Sequence, residues 1–140
     1  YERHQAYLAD VYQKPWTGLN ELCSDMRDYL LNHLGIKARI LFSSDMDSPY
    51  AKDELILDLC KRVNCTTYIS GPFGRDYLKE EDFFKNGISV FYHDYNHPEY
   101  PQRWKGFEPY MNVFDLLFNC GDDSLEILKT TDMKALAANR

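Results

Sequence analysis

The sequence lacks both an excess of positive charge and any long hydrophobic run. Its 140 residues include 16 basic and 22 acidic side chains, a net charge of -6. Proteins that bind nucleic-acid duplexes present basic faces, and no run of Lys and Arg supplies one here. No stretch approaches the roughly 18 consecutive apolar residues of a membrane-spanning helix. We therefore expect neither nucleic acid nor a membrane span.

The chain also lacks a charged-then-apolar leader and closely paired cysteines. Nothing marks it for secretion, although it begins at Tyr1 rather than Met, which indicates a fragment or a processed product. Cys23, Cys60, Cys65 and Cys120 do not have the spacing of a zinc site or of a disulfide framework. We expect buried, reduced thiols and a cytoplasmic location.

The composition is that of a globular protein with many aromatic rings. Hydrophobic residues make up 44% of the chain, charged residues 27% and aromatic residues 15%. Tyr exceeds Phe, 11 to 8, which favours half-buried positions in a groove or at an interface. The length fits a single domain over residues 1–140, with a lead-in segment at 1–17 and a frayed tail at 130–140.

Hydrophobic periodicity predicts alternating helices and strands. Helices are expected at about 18–34, 52–62 and 75–85, and strands at about 38–42, 66–69 and 88–92. This order predicts an α/β fold with a short parallel sheet built from βαβ units with flanking helices, in a Rossmann-like two-layer or three-layer arrangement. A long aromatic loop at 93–109 and two short helices at 112–119 and 123–128 follow.

The segment after the second predicted strand is the most informative about chemistry. Two glycines would let a ligand approach the backbone, the next helix would present its first amides, and Arg75 would match a phosphate or carboxylate. The alternative is a tight turn in which Arg75 pairs with Asp76 or Glu80. The substrate-binding candidates here are Ser70, Gly71, Gly74, Arg75 and Tyr77.

Two aspartates follow the first predicted strand. Asp45 and Asp47 could together hold a divalent cation and a diphosphate, because hard cations prefer oxygen ligands. We favour the simpler interpretation, in which both residues shape a turn before the next helix. No metal site and no cofactor is therefore assigned, and Asp45 is kept as a substrate-binding candidate.

The aromatic loop contains the candidate acid/base groups. His97 could act as a general base with Asp94 or Glu99 orienting it, or join His93 and Asp94 around a metal. The alternative is a rigid lid in which the histidines bond to loop carbonyls. The catalytic candidates are His97, Asp94 and Asp76, and Tyr100 and Gln102 are further substrate-binding candidates.

Three ordered motifs indicate a family. They are Thr67-Tyr68-Ile69-Ser70-Gly71-Pro72-x-Gly74-Arg75-Asp76-Tyr77-Leu78, His97-Pro98-x-Tyr100-Pro101-Gln102 and Asp115-Leu116-Leu117-Phe118-Asn119-Cys120-Gly121. With them, the chain from about Gly18 to Leu128 resembles the carboxyl-terminal part of the WbqC-like proteins. The amino-terminal part of the family pattern, with its His-Gln-Pro opening, is not present.

The resemblance implies a role in building bacterial surface polysaccharides or related glycans. We hypothesise a group-transfer enzyme that acts on a phosphate-bearing or nucleotide-linked sugar and forms an amide or ester. The alternative is a non-catalytic binding or assembly module that uses the aromatic loop and the 115–121 helix as a partner surface, with a homo-oligomer as one such assembly.

Overall fold

The computed structural model describes residues 1–130, which form two compact units. One unit contains Tyr1–Ala38 and the described residues from Asn96 onward, and the other is Arg39–Tyr95. The single domain expected from the length therefore stays a prediction. The tail expected to fray lies, from residue 131 on, outside the described residues.

Five α-helices and two strands have assigned bounds in the described residues. In chain order they are α1 (Glu2–Gln13), α2 (Leu19–His33), α3 (Lys52–Arg62), β1 (Thr67–Ser70), α4 (Glu80–Lys85), β2 (Ser89–Tyr92) and α5 (Val113–Cys120). Residues 124–130 are also helical. Short 3-10 helices lie at Ser43–Asp45, Pro72–Asp76 and Gly121–Asp123. Within residues 1–130, none of the helices has the length and apolar character that crossing a membrane requires.

The 39–95 unit contains a short parallel sheet. β1 and β2 pair in parallel from Thr67 opposite Ser89 to Ser70 opposite Tyr92. Beneath them lies an apolar core of four buried side chains, namely Cys60, Leu78, Phe83 and Ile88. These elements confirm the α/β fold with flanking helices, because α3 and α4 each precede a strand and contribute side chains to this core.

Two predicted elements of this unit are wrong. Residues 38–42 form no strand; Leu41 and Phe42 are 41% and 46% exposed. A strand needs a neighbour to bond with, and local composition does not reveal whether one exists. The helix expected at 75–85 is instead two pieces, the 3-10 helix Pro72–Asp76 and α4.

The other unit is held together by aromatic side chains rather than aliphatic ones. The rings of Tyr7 on α1 and Tyr29 on α2 stack at 3.5 Å between centroids. His4 is 3% exposed and its Nδ1 lies 2.8 Å from the Tyr29 hydroxyl. Phe114 on α5 stacks on Tyr29 at 6.2 Å. The lead-in predicted at 1–17 is therefore largely the helix α1, docked through a histidine and a tyrosine.

Gly74 is required for packing within the 39–95 unit. A Cβ placed on it would overlap the Ser70 Oγ and lie 3.0 Å from Leu78 Cδ1, whereas a Cβ on Gly71 would meet nothing within 4 Å. Ser70 and Leu78 are both buried, so neither has room to move without disturbing the core. The glycine therefore serves close internal packing.

We expect Gly74→Ala to lower the free energy of unfolding by about 1–3 kcal/mol, the usual cost of overpacking. Gly71→Ala is the matched control and should change it by less than about 1 kcal/mol. Urea unfolding followed by circular dichroism measures both. Equal effects of the two substitutions would contradict the packing role of Gly74.

Candidate functional site

The carboxyl edge of the two-stranded sheet is closed by an ion pair. The Arg75 guanidinium donates to both Asp94 carboxylate oxygens, at 3.0 and 2.9 Å. It also lies over the Tyr92 ring, 4.6 Å from its centroid. The Tyr92 hydroxyl in turn donates to Glu80 at 2.8 Å. The two segments that follow the parallel strands are thus joined by a planar, bidentate contact.

This ion pair changes what Arg75 can do. The hydrogen bond from Arg75 lowers the pKa of the Asp94 carboxyl, and the same bond raises the pKa of Arg75. Both side chains are about half exposed, 47% and 63%, so the pair contributes little to stability. The turn interpretation paired Arg75 with Asp76 or Glu80. The carboxylate that pairs with Arg75 is instead that of Asp94. An anion that bound Arg75 would have to displace Asp94.

The backbone amide of Gly74 is also occupied. It donates to the Gly71 carbonyl at 3.0 Å, within a 3-10 helix of only five residues. The Ser70 hydroxyl donates to the same carbonyl at 3.1 Å. Asp76 and Tyr77 are exposed beside them. The anion cradle predicted at this edge therefore gains no support from these contacts, and the roles of its residues stay predictions.

The aspartates after the first predicted strand lie on the surface. Asp45 is exposed and accepts a hydrogen bond from the Ser44 hydroxyl at 3.2 Å, and Asp47 has a φ of 44°. Across residues 1–130, no group of three or more His, Cys, Asp or Glu side chains is arranged to hold a metal ion. These contacts fit the turn interpretation.

His97 lies in the other unit, within a cluster of aromatic rings. Its centroid is 5.3 to 5.9 Å from those of Tyr110, Phe107 and Tyr100. Its Nδ1 lies 2.9 Å from the Pro98 carbonyl. A carbonyl oxygen only accepts, so the ring proton is assigned to Nδ1. This contact fits the alternative in which the histidines bond to loop carbonyls.

The centre of this unit's polar chemistry is the Asp115 carboxylate. The Asn112 side chain caps α5 by accepting from the Phe114 and Asp115 amides at 3.0 and 3.2 Å, which places Asp115 in the first turn. Its Oδ2 accepts from the Tyr100 hydroxyl at 2.9 Å and from Gln102 Nε2 at 3.1 Å. Two distant motifs thus meet on one carboxylate.

The network extends in two further directions. Asn119, one turn along α5, donates through Nδ2 to Asp115 Oδ1 at 3.2 Å and to the Asp115 carbonyl at 2.7 Å. Burial raises the pKa of Tyr100, and its hydrogen bond to Asp115 raises it further. Tyr100 is only 7% exposed. Its hydroxyl therefore stays protonated and serves as a donor.

Gln102 closes a loop. Its Oε1 accepts from the Glu108 amide at 2.8 Å, and its Nε2 donates to the Glu108 carbonyl at 2.9 Å. We call this two-way contact the Gln102–Glu108 clasp. It holds the ends of the 103–107 segment together, and Gly106, with a φ of 101°, makes the reversal inside it.

A cavity of about 790 Å³ lies beside this network. Aromatic rings of Tyr1, Trp104, Phe107 and Phe118 form part of its wall. Asp115, Asn119 and Gln102 contribute polar groups, and Arg103 and Lys105 contribute positive charge. Apolar walls with a few positioned polar groups are typical of small-molecule sites.

Most of this site was not predicted. Tyr100 and Gln102 were expected to bind substrate, and they line or support the cavity, whereas Asp115, Asn119, Arg103, Trp104 and Lys105 were not candidates. The sequence does contain one indication of the Asp115–Asn119 pair: their i, i+4 spacing puts both side chains on one helix face. Phe114, Leu116 and Leu117 of α5 are buried, so their apolar face is internal rather than a partner surface.

The cysteines are all unpaired, but they are not all buried. Cys60 is buried, Cys65 and Cys120 are half-buried and Cys23 is exposed, so the expectation of burial is wrong for Cys23. Burial raises the pKa of Cys60 to about 11, with Cys65 adding to the effect. Burial also raises the pKa of Cys120, and the nearby carboxylates of Asp123 and Asp115 add to it. Neither Cys60 nor Cys120 is an activated nucleophile.

We expect iodoacetamide at pH 8 to alkylate Cys23 at least about tenfold faster than Cys60, because about one Cys60 thiol in a thousand is ionised there. The raised pKa means that labelling of Cys60 speeds up only as the pH approaches 11 or when the chain unfolds. Peptide mass spectrometry over time measures both rates. Equal rates in the folded chain would contradict the buried position of Cys60.

Comparison with known proteins places these features in a family. The model of the WbqC-like protein family matches residues 1–127. An uncharacterized protein of Mycobacterium tuberculosis, Rv1507c, is 34% identical over 125 residues, which are 88% of this chain and 54% of that protein. The chain therefore spans about half the length of the curated relative it matches. No solved structure matches it.

Proposed function

The chain belongs to the WbqC-like protein family, and on this premise we propose that it binds a phosphate-bearing or nucleotide-linked sugar. We further propose that it serves bacterial surface-polysaccharide or related glycan biosynthesis by transferring an acyl group from an activated acyl donor onto an amine or hydroxyl of that sugar. The new amide or ester bond forms as the bond from the acyl carbon to the donor's leaving group breaks, and the proton of the amine or hydroxyl passes to a base. The observation that carries the proposal is the cavity beside the Asp115 network. Its wall combines aromatic rings, hydrogen-bonding side chains and two cations, which are the groups that a charged sugar derivative requires.

The size and lining of the cavity favour a ligand of this class. Its volume of about 790 Å³ lies within the roughly 300–1,000 Å³ that ligand pockets usually have. Aromatic faces can cover the apolar faces of a sugar ring, while carboxylate and amide groups bond to its hydroxyls. Arg103 and Lys105 supply positive charge for a phosphate. A purely apolar ligand would leave these charged groups without partners.

The acid/base role belongs to His97 in this proposal. With a proton on Nδ1, held by the Pro98 carbonyl at 2.9 Å, Nε2 is the ring nitrogen to which the proposal gives the acid/base role. The His97 ring contacts Phe107, which lines the cavity. His97 is not itself among the residues that line the cavity, so the role requires its ring to reach past Phe107 and remove a proton from the attacking sugar amine or hydroxyl. Asp94 and Asp76 belong to the other unit, and their catalytic roles stay predictions.

A second candidate function is a binding or assembly module. The 39–95 unit exposes several large apolar side chains, with Phe73 79%, Phe84 81% and Ile69 64% exposed. Exposed aromatic residues are enriched where proteins bind one another. Light scattering after size exclusion distinguishes this candidate, because a strict monomer at high concentration would argue against self-assembly.

The binding proposal is tested by isothermal titration with UDP-N-acetylglucosamine. Met111 lines the cavity, is 47% exposed and is outside the Asp115 network, so Met111→Trp should fill the cavity without breaking the network. We expect it to weaken binding by about tenfold or more, the effect of losing roughly 1.4 kcal/mol of contacts. Phe84→Trp, on an exposed residue of the other unit, is the matched control and should bind normally.

A third variant distinguishes binding in the cavity from binding at the carboxyl edge of the sheet. Arg75→Ala removes the guanidinium that pairs with Asp94, and we expect it to leave the affinity unchanged. Loss of binding in Arg75→Ala with normal binding in Met111→Trp would move the site to the strand edge and contradict the cavity proposal. The absence of heat with a panel of nucleotide sugars would contradict the proposal as a whole.

A further inference from the structure

We propose that residues 103–107 form a nucleotide finger, in which the Trp104 ring stacks on a nucleobase and Arg103 and Lys105 hold a diphosphate. The inference rests on the proposed function and narrows its substrate class to nucleoside-diphosphate-linked sugars. It also names the part of the substrate that this loop holds. The sugar would then lie farther along the cavity, toward Asp115 and Asn119.

The first observation is the exposure of Trp104. Its side chain is 79% exposed, although an indole is among the side chains that gain most from burial. The Arg103 guanidinium lies over its ring, 5.6 Å from the centroid. An exposed indole beside a guanidinium offers a flat surface on which a base can stack and a donor fork for the phosphate next to it.

The second observation is the charge of the finger. Two cations occur within three residues, Arg103 and Lys105, in a chain whose net charge is -6. Within the part of the chain that the structure describes, neither side chain forms an ion pair, whereas Arg3, Arg62 and Arg75 each do. The carboxylates of Glu108 and Asp115 also line the cavity, but neither cation is paired with them, so both can bind an anionic group of the ligand.

The third observation is that hydrogen bonds within the protein hold the finger in place. The Gln102–Glu108 clasp joins its two ends through a pair of hydrogen bonds of 2.8 and 2.9 Å. Asp115 fixes Gln102 from the other side at 3.1 Å. A loop that is already ordered loses less conformational entropy on binding, so its contacts contribute more fully to affinity. The Asp115 network thus positions the finger rather than touching the nucleotide itself.

The chain offers a direct optical test because it contains only two tryptophans, Trp16 and Trp104. We expect UDP to quench tryptophan fluorescence in the unmodified chain and in Trp16→Phe, and to cause no quenching in Trp104→Phe. Trp16 is the matched control because its indole Nε1 donates to the Val11 carbonyl at 2.8 Å and it does not line this cavity. Quenching that persists in Trp104→Phe would overturn the assignment of Trp104.

Affinity measurements separate the base from the phosphate. Because a base stacked on an aromatic side chain contributes substantially to the binding free energy, Trp104→Leu should weaken UDP binding by about tenfold. Glucose 1-phosphate has no base, so Trp104→Leu should leave its affinity unchanged. Arg103→Gln with Lys105→Gln should weaken both ligands and reduce the salt dependence of binding. Inorganic phosphate that binds as tightly as UDP would show an anion site without base recognition and would contradict the finger.

The failure of this inference differs from the failure of the proposed function. If Met111→Trp abolishes binding of UDP-N-acetylglucosamine and Trp104→Leu leaves it unchanged, the cavity holds the sugar and the finger is wrong. If no ligand binds the unmodified chain, both proposals are wrong. Because Trp104, Arg103 and Lys105 are exposed, their variants should keep the unfolding midpoint of the unmodified chain, and circular dichroism checks this.

Discussion

The carboxylate of Asp115 is the group on which the cavity-bearing unit depends. Tyr100, Gln102 and Asn119 all donate to it, at 2.9, 3.1 and 3.2 Å. Hydrogen bonds to a charged acceptor are worth about 1.5–3 kcal/mol each when removed singly, although such values do not add within one network. Loss of the carboxylate would also leave the buried Tyr100 hydroxyl without its acceptor. One half-buried charge therefore joins the aromatic loop to α5 and, through Gln102, shapes the cavity wall.

The parts of the fold that could be predicted are those determined by local pattern. α2 and α3 have apolar residues at helical spacing, and β1 and β2 are short runs rich in β-branched and aromatic residues. The segment 38–42 is also short and largely apolar, but it does not pair with β1 or β2. α1 was missed because its buried residue is His4, which docks through hydrogen bonding and ring stacking that helical periodicity does not register.

The site was harder to predict because its chemistry is set by contacts between distant residues. The residues around Arg75 are of the types found in anion-binding sites, but the Arg75 guanidinium is bonded to Asp94, 19 residues later in the chain. Gln102 was expected to meet substrate; it lines the cavity, and its side chain also bonds Glu108 and Asp115. Residue type and spacing could indicate that Tyr100, Gln102 and the Asp115 motif belong together. They could not indicate that one carboxylate accepts from all of them.

Hydrogen exchange at the Glu108 amide tests the role of Asp115 most directly. That N–H donates to the Gln102 side chain at 2.8 Å, and Gln102 is held in turn by Asp115. If Asp115 organises this unit, the Glu108 amide is protected in the unmodified chain and loses protection in Asp115→Ala, while the amides that pair β1 with β2 keep theirs. A Glu108 amide that stays equally protected in Asp115→Ala would contradict the role assigned to Asp115.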